Sequence, residues 1–405
     1  MVNIAVLGYG TVGSGVVEVI NTNPESINKK AGEEINVKYV LDLRDFPGSP
    51  IEKILVHDFD TILNDDEVKI VVEVMGGVEP AYTFVKKSLL AGKSVCTSNK
   101  ELVAKHGPEL LTIAKEKNIN FLFEASVGGG IPIIRPLNSS LTADEIMEIT
   151  GILNGTTNFI LTKMTDEGWD FDEALKTAQE LGYAERNPEA DIEGYDACRK
   201  IAILSSLAFG NNVDFEEIYT EGISKVSALD VAYAKKMGYA IKLLASSKKE
   251  DDNFYAMVAP FLVDKQNPLY SVNDVFNAIF VKGNVIGDVM FYGSGAGKLP
   301  TASAVVSDVV DATKHLNRNI HTYWSSKKLE LTSMDEANFK YFVRVKGKKA
   351  NKLNDVENSF GKVLDVVELD GAPDEFAVIT DYTSEKMFKE RSAKLDCIVS
   401  TIRVK

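Results

Sequence analysis

Asp196 and Lys200 stand four residues apart at the head of an otherwise apolar run, Ile201-Ala-Ile-Leu-Ser-Ser-Leu-Ala-Phe209. At 3.6 residues per turn, positions 196, 200, 203/204 and 207 share one stripe of a helix. Below Lys200 that stripe is Ile203, Leu204 and Leu207, so it faces inward. An i,i+4 pair on a helix surface contributes only about 0.2–0.5 kcal/mol and needs no function. A charged pair on a buried stripe does need one. A lysine there can take or give a proton, and carboxylates there can hold a cationic group. The loop just upstream adds carboxylates at Glu185, Glu189, Asp191 and Glu193, most of which read as a solvated face.

Such a pair needs a partner that does the redox or transfer chemistry, and the N-terminus supplies a candidate. Val2–Leu7 reads as a buried strand, followed at once by Gly8-Tyr-Gly10-Thr11-Val12-Gly13 and an apolar helical segment. A GxGxxG stretch between a strand and a helix is the phosphate-binding turn of dinucleotide folds, with the helix N-terminus facing the pyrophosphate. A second strand, Ile35–Leu41, runs into Asp42-Leu-Arg44, and the stretch from Asn21 to Glu34 reads as a long loop. Asp42 suits a ribose 2′-hydroxyl and NAD; Arg44 suits a 2′-phosphate and NADP, with the balance slightly towards NADP. Further strands are expected at 70–75, 94–97 and 120–126, with a helix over 80–91. Ser98-Asn-Lys100 follows the fourth of these strands, at a carboxyl end where open α/β sheets bind ligands. Glu124 precedes Val127-Gly-Gly-Gly130, a stretch that can turn carbonyl oxygens towards a hard cation or serve as a hinge.

After Pro132, a plausible first residue of a helix, the alternation of strand and helix stops. A strand is expected within 142–155, and a helix over 171–181, capped by Asp170 and Glu173 and closed by Gly182. A glycine loop at 293–297 feeds an apolar helix from Leu299 that could return to the nucleotide domain. From about 325, strand-like 341–346, helix-like 354–367, strand 375–380, helix-like 384–393 and strand 395–402 describe a small separate α+β module.

Composition sets bounds on function. The 405 residues allow two or three domains, and 45% hydrophobic with 26% charged content is ordinary for a globular chain. A net charge of −14 argues against nucleic acid and anionic membranes as partners. There is no signal-like N-terminus or membrane-spanning run, and three scattered cysteines suit a reducing cytoplasm. Four unclustered histidines argue against a transition-metal enzyme.

Taken in order, Gly8–Gly13, Ser98-Asn-Lys100, Glu124–Pro132, Gly151-Ile-Leu-Asn-Gly-Thr-Thr-Asn-Phe159, Leu181–Glu185, Asp191–Lys200 and Gly293–Gly297 resemble homoserine dehydrogenases of the long monofunctional type. The resemblance covers roughly residues 1–320. It implies an α/β fold: a Rossmann-type doubly wound nucleotide-binding domain over 1–130, completed by about 298–322. An α+β catalytic and dimerisation domain over 131–297 and a small α+β ACT-like domain over 325–405 would follow. It implies NADP- or NAD-dependent interconversion of L-homoserine and L-aspartate 4-semialdehyde by a cytoplasmic homodimer or homotetramer, on the route to threonine, isoleucine and methionine.

By the same resemblance Lys200 is the proton donor and acceptor, and Lys100 lies between substrate and nicotinamide. Glu185, Asp196 and Thr157 are matched to substrate binding. Gly8, Gly10, Thr11, Val12, Gly13, Arg44, Lys100, Gly182 and Gly297 are matched to the cofactor. Glu124, with main-chain oxygens of Val127, Gly129 and Ile131, is matched to a monovalent cation, usually sodium. The C-terminal module departs from the ACT pattern: Val345-Lys-Gly-Lys-Lys-Ala-Asn351 lacks the Pro-Gly that follows the first strand where effectors bind. Two other readings are an aldehyde dehydrogenase with a nucleophilic cysteine, such as aspartate-semialdehyde dehydrogenase, and a non-catalytic NAD(P) sensor. Neither Cys96 in a strand nor Cys198 in a helix suits the first, and the intact Lys100, Glu185, Asp196 and Lys200 argue against the second.

Overall fold

The computed structural model describes all 405 residues, which divide into two compact units. The first comprises 1–146, 199–215 and 283–329; the second comprises 147–198, 216–282 and 330–405.

The first unit is built on a parallel sheet in the order Leu55–Val56, Ile35–Leu41, Val2–Leu7, Val68–Glu73, Ser94–Thr97, Phe121–Leu122. This is the doubly wound order in which the direction of strand addition reverses beside the first strand, leaving a crevice at the carboxyl ends. The strands are apolar on both faces because helices cover both. Val2–Leu7 is buried along its whole length. The helix Lys298–Lys314 packs on Thr11–Thr22, so the late glycine loop does lead the chain back to the nucleotide-binding sheet. The approach is close: a Cβ on Gly15 would lie 2.8 Å from the Lys298 carbonyl.

Three local expectations change here. The stretch after the first helix is not a loop but a second helix, Pro24–Ala31. Pro24 opens it, Gly32 closes it with φ +75°, and only Ile27 and Ala31 are buried, so its apolar signal is thin. The strand expected over 120–126 is confined to Phe121–Leu122, and Glu124–Ser126 forms a single 3₁₀ turn. Pro132 does not open a helix; a short helical turn begins at Ile134, two residues later.

In the second unit a mixed sheet runs Phe276–Gly283, Ile146–Ile152, Tyr239–Glu250, Asn253–Asp264, Ile398–Val404, Asn338–Lys346, Glu375–Ile379, Asp365–Glu368. Its spine is the antiparallel pair Tyr239–Glu250 and Asn253–Asp264, in unbroken register over twelve residues each. The last strand of the chain lies parallel to Asn253–Asp264 at Phe261↔Arg403 and antiparallel to Asn338–Lys346. The C-terminal βαββαβ segment therefore continues the sheet of its own unit rather than standing off as a separate body. Its first helix is Lys349–Phe360, ended by Gly361 with φ +89°, and Asp365–Glu368 is a strand where a longer helix was expected. The β-branched pair Val366-Val367 favours that outcome.

Buried ion pairs hold this segment. Arg344 donates to Asp230 of the helix Ala228–Lys236 and to its N-cap Ser227, and Arg403 donates to Glu385, Glu221 and Tyr219. Lys242, buried in the central hairpin, donates to the Val272 carbonyl and to Asn158 and Asn273. Burial pushes its pKa down from 10.5 to about 8. The folded state therefore releases this proton at lower pH than the unfolded chain. Below about pH 8 both states are protonated and the cost of burying the charge is felt in full; between about 8 and 10.5 stability rises with pH from this group. Denaturant titrations from pH 7.5 to 10.5 should show that rise in the wild type and a flatter profile in Lys242→Met.

Candidate active site

The glycine turn is shaped by steric demand. A Cβ on Gly13 would meet the Gly8 carbonyl at 1.9 Å, so no other residue lets the helix start so close to the strand. Gly10, the N-cap of Thr11–Thr22, has nothing within 4 Å of a built Cβ, which leaves its backbone open to a ligand. Thr11 and Val12 are the first helical residues, where unpaired amides face outward. A cavity of about 510 Å³ opens at this point, lined among others by Gly8, Gly10, Asp42, Arg44, Met75 and Gly76. It lies at the carboxyl ends of the first, second and fourth strands, at the reversal of strand order.

Asp42 and Arg44 act together at the rim. Asp42 accepts the Tyr9 and Arg44 amides, and the Arg44 guanidinium grips the same carboxylate through Nε and Nη2 at 3.0 Å. The guanidinium holds the Asp42 carboxyl far below its ordinary range. The carboxylate is nearly enclosed at 10% side-chain exposure, whereas Arg44 is 63% exposed. Arg44→Ala should raise the KM for NADP⁺ at least about tenfold, the value of one charge-assisted hydrogen bond, and change that for NAD⁺ far less. Initial rates with both cofactors measure this.

In the first unit Lys100 is the first residue of the helix Lys100–Glu116, whose N-cap Asn99 accepts from the Leu102 amide at 3.1 Å. Glu101 pairs with Arg199 at 3.8 Å, beside Lys200 in the sequence. Lys200 is 8% exposed on the helix Tyr195–Phe209. Gly297 caps the helix Lys298–Lys314 with φ +124°.

In the second unit Asp196 is 4% exposed. Asn154 donates to Asp196 at 2.9 Å and to Asp191 at 2.7 Å, while its own oxygen caps the helix Gly155–Asp166. Thr157 lies fully inside, its hydroxyl turned to Asn154. Thr156 donates to the Tyr183 carbonyl, beside Gly182, which ends the preceding helix with φ +76°. Glu185 lies exposed in the following loop. Asn154 and Asn158, which straps the carbonyls of Val272, Asp274 and Phe276, are the residues here that sequence reasoning did not single out. Two amides flanking a Gly-Thr-Thr turn were the available signal.

Glu124 is 3% exposed and accepts three successive amides, Ile133 and Ile134 on Oε1 and Arg135 on Oε2, at 2.6–2.8 Å. The Glu124 amide in turn donates to Asp308, which also binds Arg135. Burial beside Glu124 lifts the Asp308 carboxyl to about 8. Gly129, with φ +56°, sits where a Cβ would collide with the Gly295 carbonyl at 2.2 Å, so the two glycine loops of this unit interlock. No group of three or more His, Cys, Asp or Glu side chains is arranged to hold a metal. All three cysteines are buried, and burial raises the Cys96 thiol well above its ordinary range, so none is an exposed nucleophile.

A parallel doubly wound sheet, a glycine turn and cavity at its switch point, and a buried Lys200 define an NAD(P)-dependent oxidoreductase. The family models for the homoserine dehydrogenase NAD-binding domain and for homoserine dehydrogenase match residues 8–124 and 132–310. A homoserine dehydrogenase of Lactococcus lactis is 41% identical over 381 residues, 91% of this chain and 86% of its own length. The crystal structure of a homoserine dehydrogenase from Thiobacillus denitrificans superposes with a TM-score of 0.90 at 37% identity, covering 100% of this chain and 98% of that one. A hyperthermophilic archaeal homoserine dehydrogenase solved in complex with NADPH covers 77% of this chain and 97% of its own at a TM-score of 0.67 and 32% identity. The chain belongs to the homoserine dehydrogenase family. No helix is long and apolar enough to cross a membrane.

Proposed function

We propose that this protein interconverts L-homoserine and L-aspartate 4-semialdehyde with NADP(H) or NAD(H), NADP being preferred through Arg44. The observation that carries the reading is the buried pair Asp196 and Lys200 on one helix, with Asp196 tied to Asn154, in a chain of this family. Bound nicotinamide supplies or accepts the hydride at the substrate's C4. Lys200 gives or takes the proton on the C4 oxygen as that carbon is reduced or oxidised. Asp196 and Glu185 bind the substrate ammonium, with Thr157 behind them holding Asn154 in place. Lys100 orients substrate against the nicotinamide. Gly182 and Gly297 contribute backbone to the cofactor.

Glu124, with the carbonyls of Val127, Gly129 and Ile131, holds a monovalent cation such as sodium. The active form is a homodimer or homotetramer in the cytoplasm, and the C-terminal ACT-like segment serves assembly. Homoserine-dependent reduction of NADP⁺ and NAD⁺, followed by absorbance at alkaline pH, tests the activity. The absence of any change with both cofactors would refute it. Unchanged activity after thiol alkylation is expected, since the proposed chemistry needs no cysteine.

A further inference from the structure

The strand Val68–Glu73 reads as a central parallel strand, buried on both faces, until it reaches a carboxylate with 0% exposure. A lone charge there is costly unless donors converge on it. They do converge. The Met75 amide donates to Glu73 Oε1 at 2.8 Å, and the Gly76 amide reaches the same carboxylate. Gly76 and Gly77 have φ of +82° and +72°, a turn that points successive amides back at the strand end. On the other side Thr97, paired in register with Glu73, donates its hydroxyl to Oε2 at 2.6 Å.

That hydroxyl also accepts the Asn99 amide at 2.9 Å. Asn99 closes the ring: its side chain donates to the Gly77 carbonyl at 2.6 Å, and its oxygen caps the helix that starts at Lys100. The turn 74–76 lines the cofactor cavity. One buried acceptor thus joins the wall of that cavity to the residue that sets the direction of Lys100.

We propose that Glu73 is a positioning residue: through Thr97 and Asn99 its carboxylate fixes the start of the Lys100 helix relative to the cofactor-lining turn Val74–Gly77. The proposal rests on the role given to Lys100 above. A carboxylate suits the task because both its oxygens accept. A glutamine would keep one acceptor and turn an NH₂ towards either the Met75 amide or the Thr97 hydroxyl. Thr97→Val is the sharper probe. It is nearly the same shape and leaves the Met75 and Gly76 bonds in place; it removes the hydroxyl that donates to Glu73 and accepts the Asn99 amide, while the Asn99 side chain keeps its own contact with the carboxylate.

The test compares Thr97→Val, Thr97→Ser, Glu73→Gln and Lys100→Met. NADPH affinity is read by fluorescence titration, kcat and KM from homoserine oxidation, and folding from the thermal midpoint. A misplacement of about 1 Å can cost on the order of 100-fold in rate. The expected result is a kcat for Thr97→Val about 10- to 100-fold down, NADPH affinity within about threefold of wild type, and most of kcat restored in Thr97→Ser. Glu73→Gln should weaken NADPH binding as well as kcat, because it disturbs both arms. If Thr97→Val does not fold, Thr97→Ala is read in the same way. A lowered midpoint with unchanged kcat in the valine or alanine variant would mean a merely structural role and overturn the proposal. So would equal losses of kcat and NADPH affinity in Thr97→Val. Lys100→Met separates the two layers. If it is costly while Thr97→Val is silent, the positioning role fails and the Lys100 role stands; if it is itself silent, the Lys100 role fails and takes the positioning role with it.

Discussion

Lys200→Met should bind NADPH as the wild type does and lose about 10²- to 10⁴-fold in kcat, the range a positioned proton donor contributes. The loss in kcat/KM should be equal in homoserine oxidation and semialdehyde reduction, since a catalyst cannot move the equilibrium between them. Methionine fills the volume of the lysine stem, and the site is buried on a stripe that continues as Ile203, Leu204 and Leu207. Removing one member of a buried charged pair leaves the other less compensated, here Asp196, so the melting midpoint should also fall and kcat is read well below it. Lys200→Arg discriminates between a proton and a charge. Arginine keeps the positive charge but does not titrate in a protein, so it should be as inactive as methionine. An arginine variant with near-normal turnover would show that Lys200 acts as a fixed charge and would overturn the proton assignment.

The pair at 196 and 200 was legible in the sequence because helical period is a local signal. Apolar residues at 203, 204 and 207 define the inward stripe without reference to any other part of the chain, and both residues do lie buried. The glycine turn was legible for the same reason: strand, glycines and helix are contiguous. What did not read through depends on partners far along the chain or on weak apolar patterns. Asn154 could be seen only as a polar residue before a helix, because its partners Asp191 and Asp196 come some forty residues later. The helix Pro24–Ala31 buries two side chains and otherwise looks like a polar loop. The segment Asp365–Glu368 was merged with the helix before it because four residues are too few to show a period of two, and only its pairing with Glu375–Ile379 makes it a strand. Glu73 sits among valines in a stretch that reads simply as a buried strand, and its meaning depends on Thr97 and Asn99 across a strand pairing.

Glu124 was read from the sequence as an oxygen ligand next to a glycine run, and the structure adds a second demand on the same carboxylate. Three consecutive amides, at 133, 134 and 135, end on it in a site closed to solvent. These amides begin a helical turn and have no carbonyl partners of their own, so the carboxylate does for them what an N-cap side chain does for a helix. Glu124→Ala should strand them in a buried place. Each hydrogen bond to a charged group is worth roughly 1.5–3 kcal/mol and the losses overlap, so a decrease in unfolding free energy of at least about 3 kcal/mol is expected. Glu124→Gln should cost less, since one oxygen remains to accept Ile133 and Ile134 while its NH₂ opposes the Arg135 amide. The same variant separates capping from cation binding. If the carboxylate also holds sodium, wild-type activity or stability should be higher in sodium chloride than in choline chloride at equal ionic strength, and Glu124→Gln should abolish that difference. A glutamine variant that is destabilised but keeps the sodium response would place the cation elsewhere, and a wild type indifferent to sodium would leave Glu124 as a cap alone.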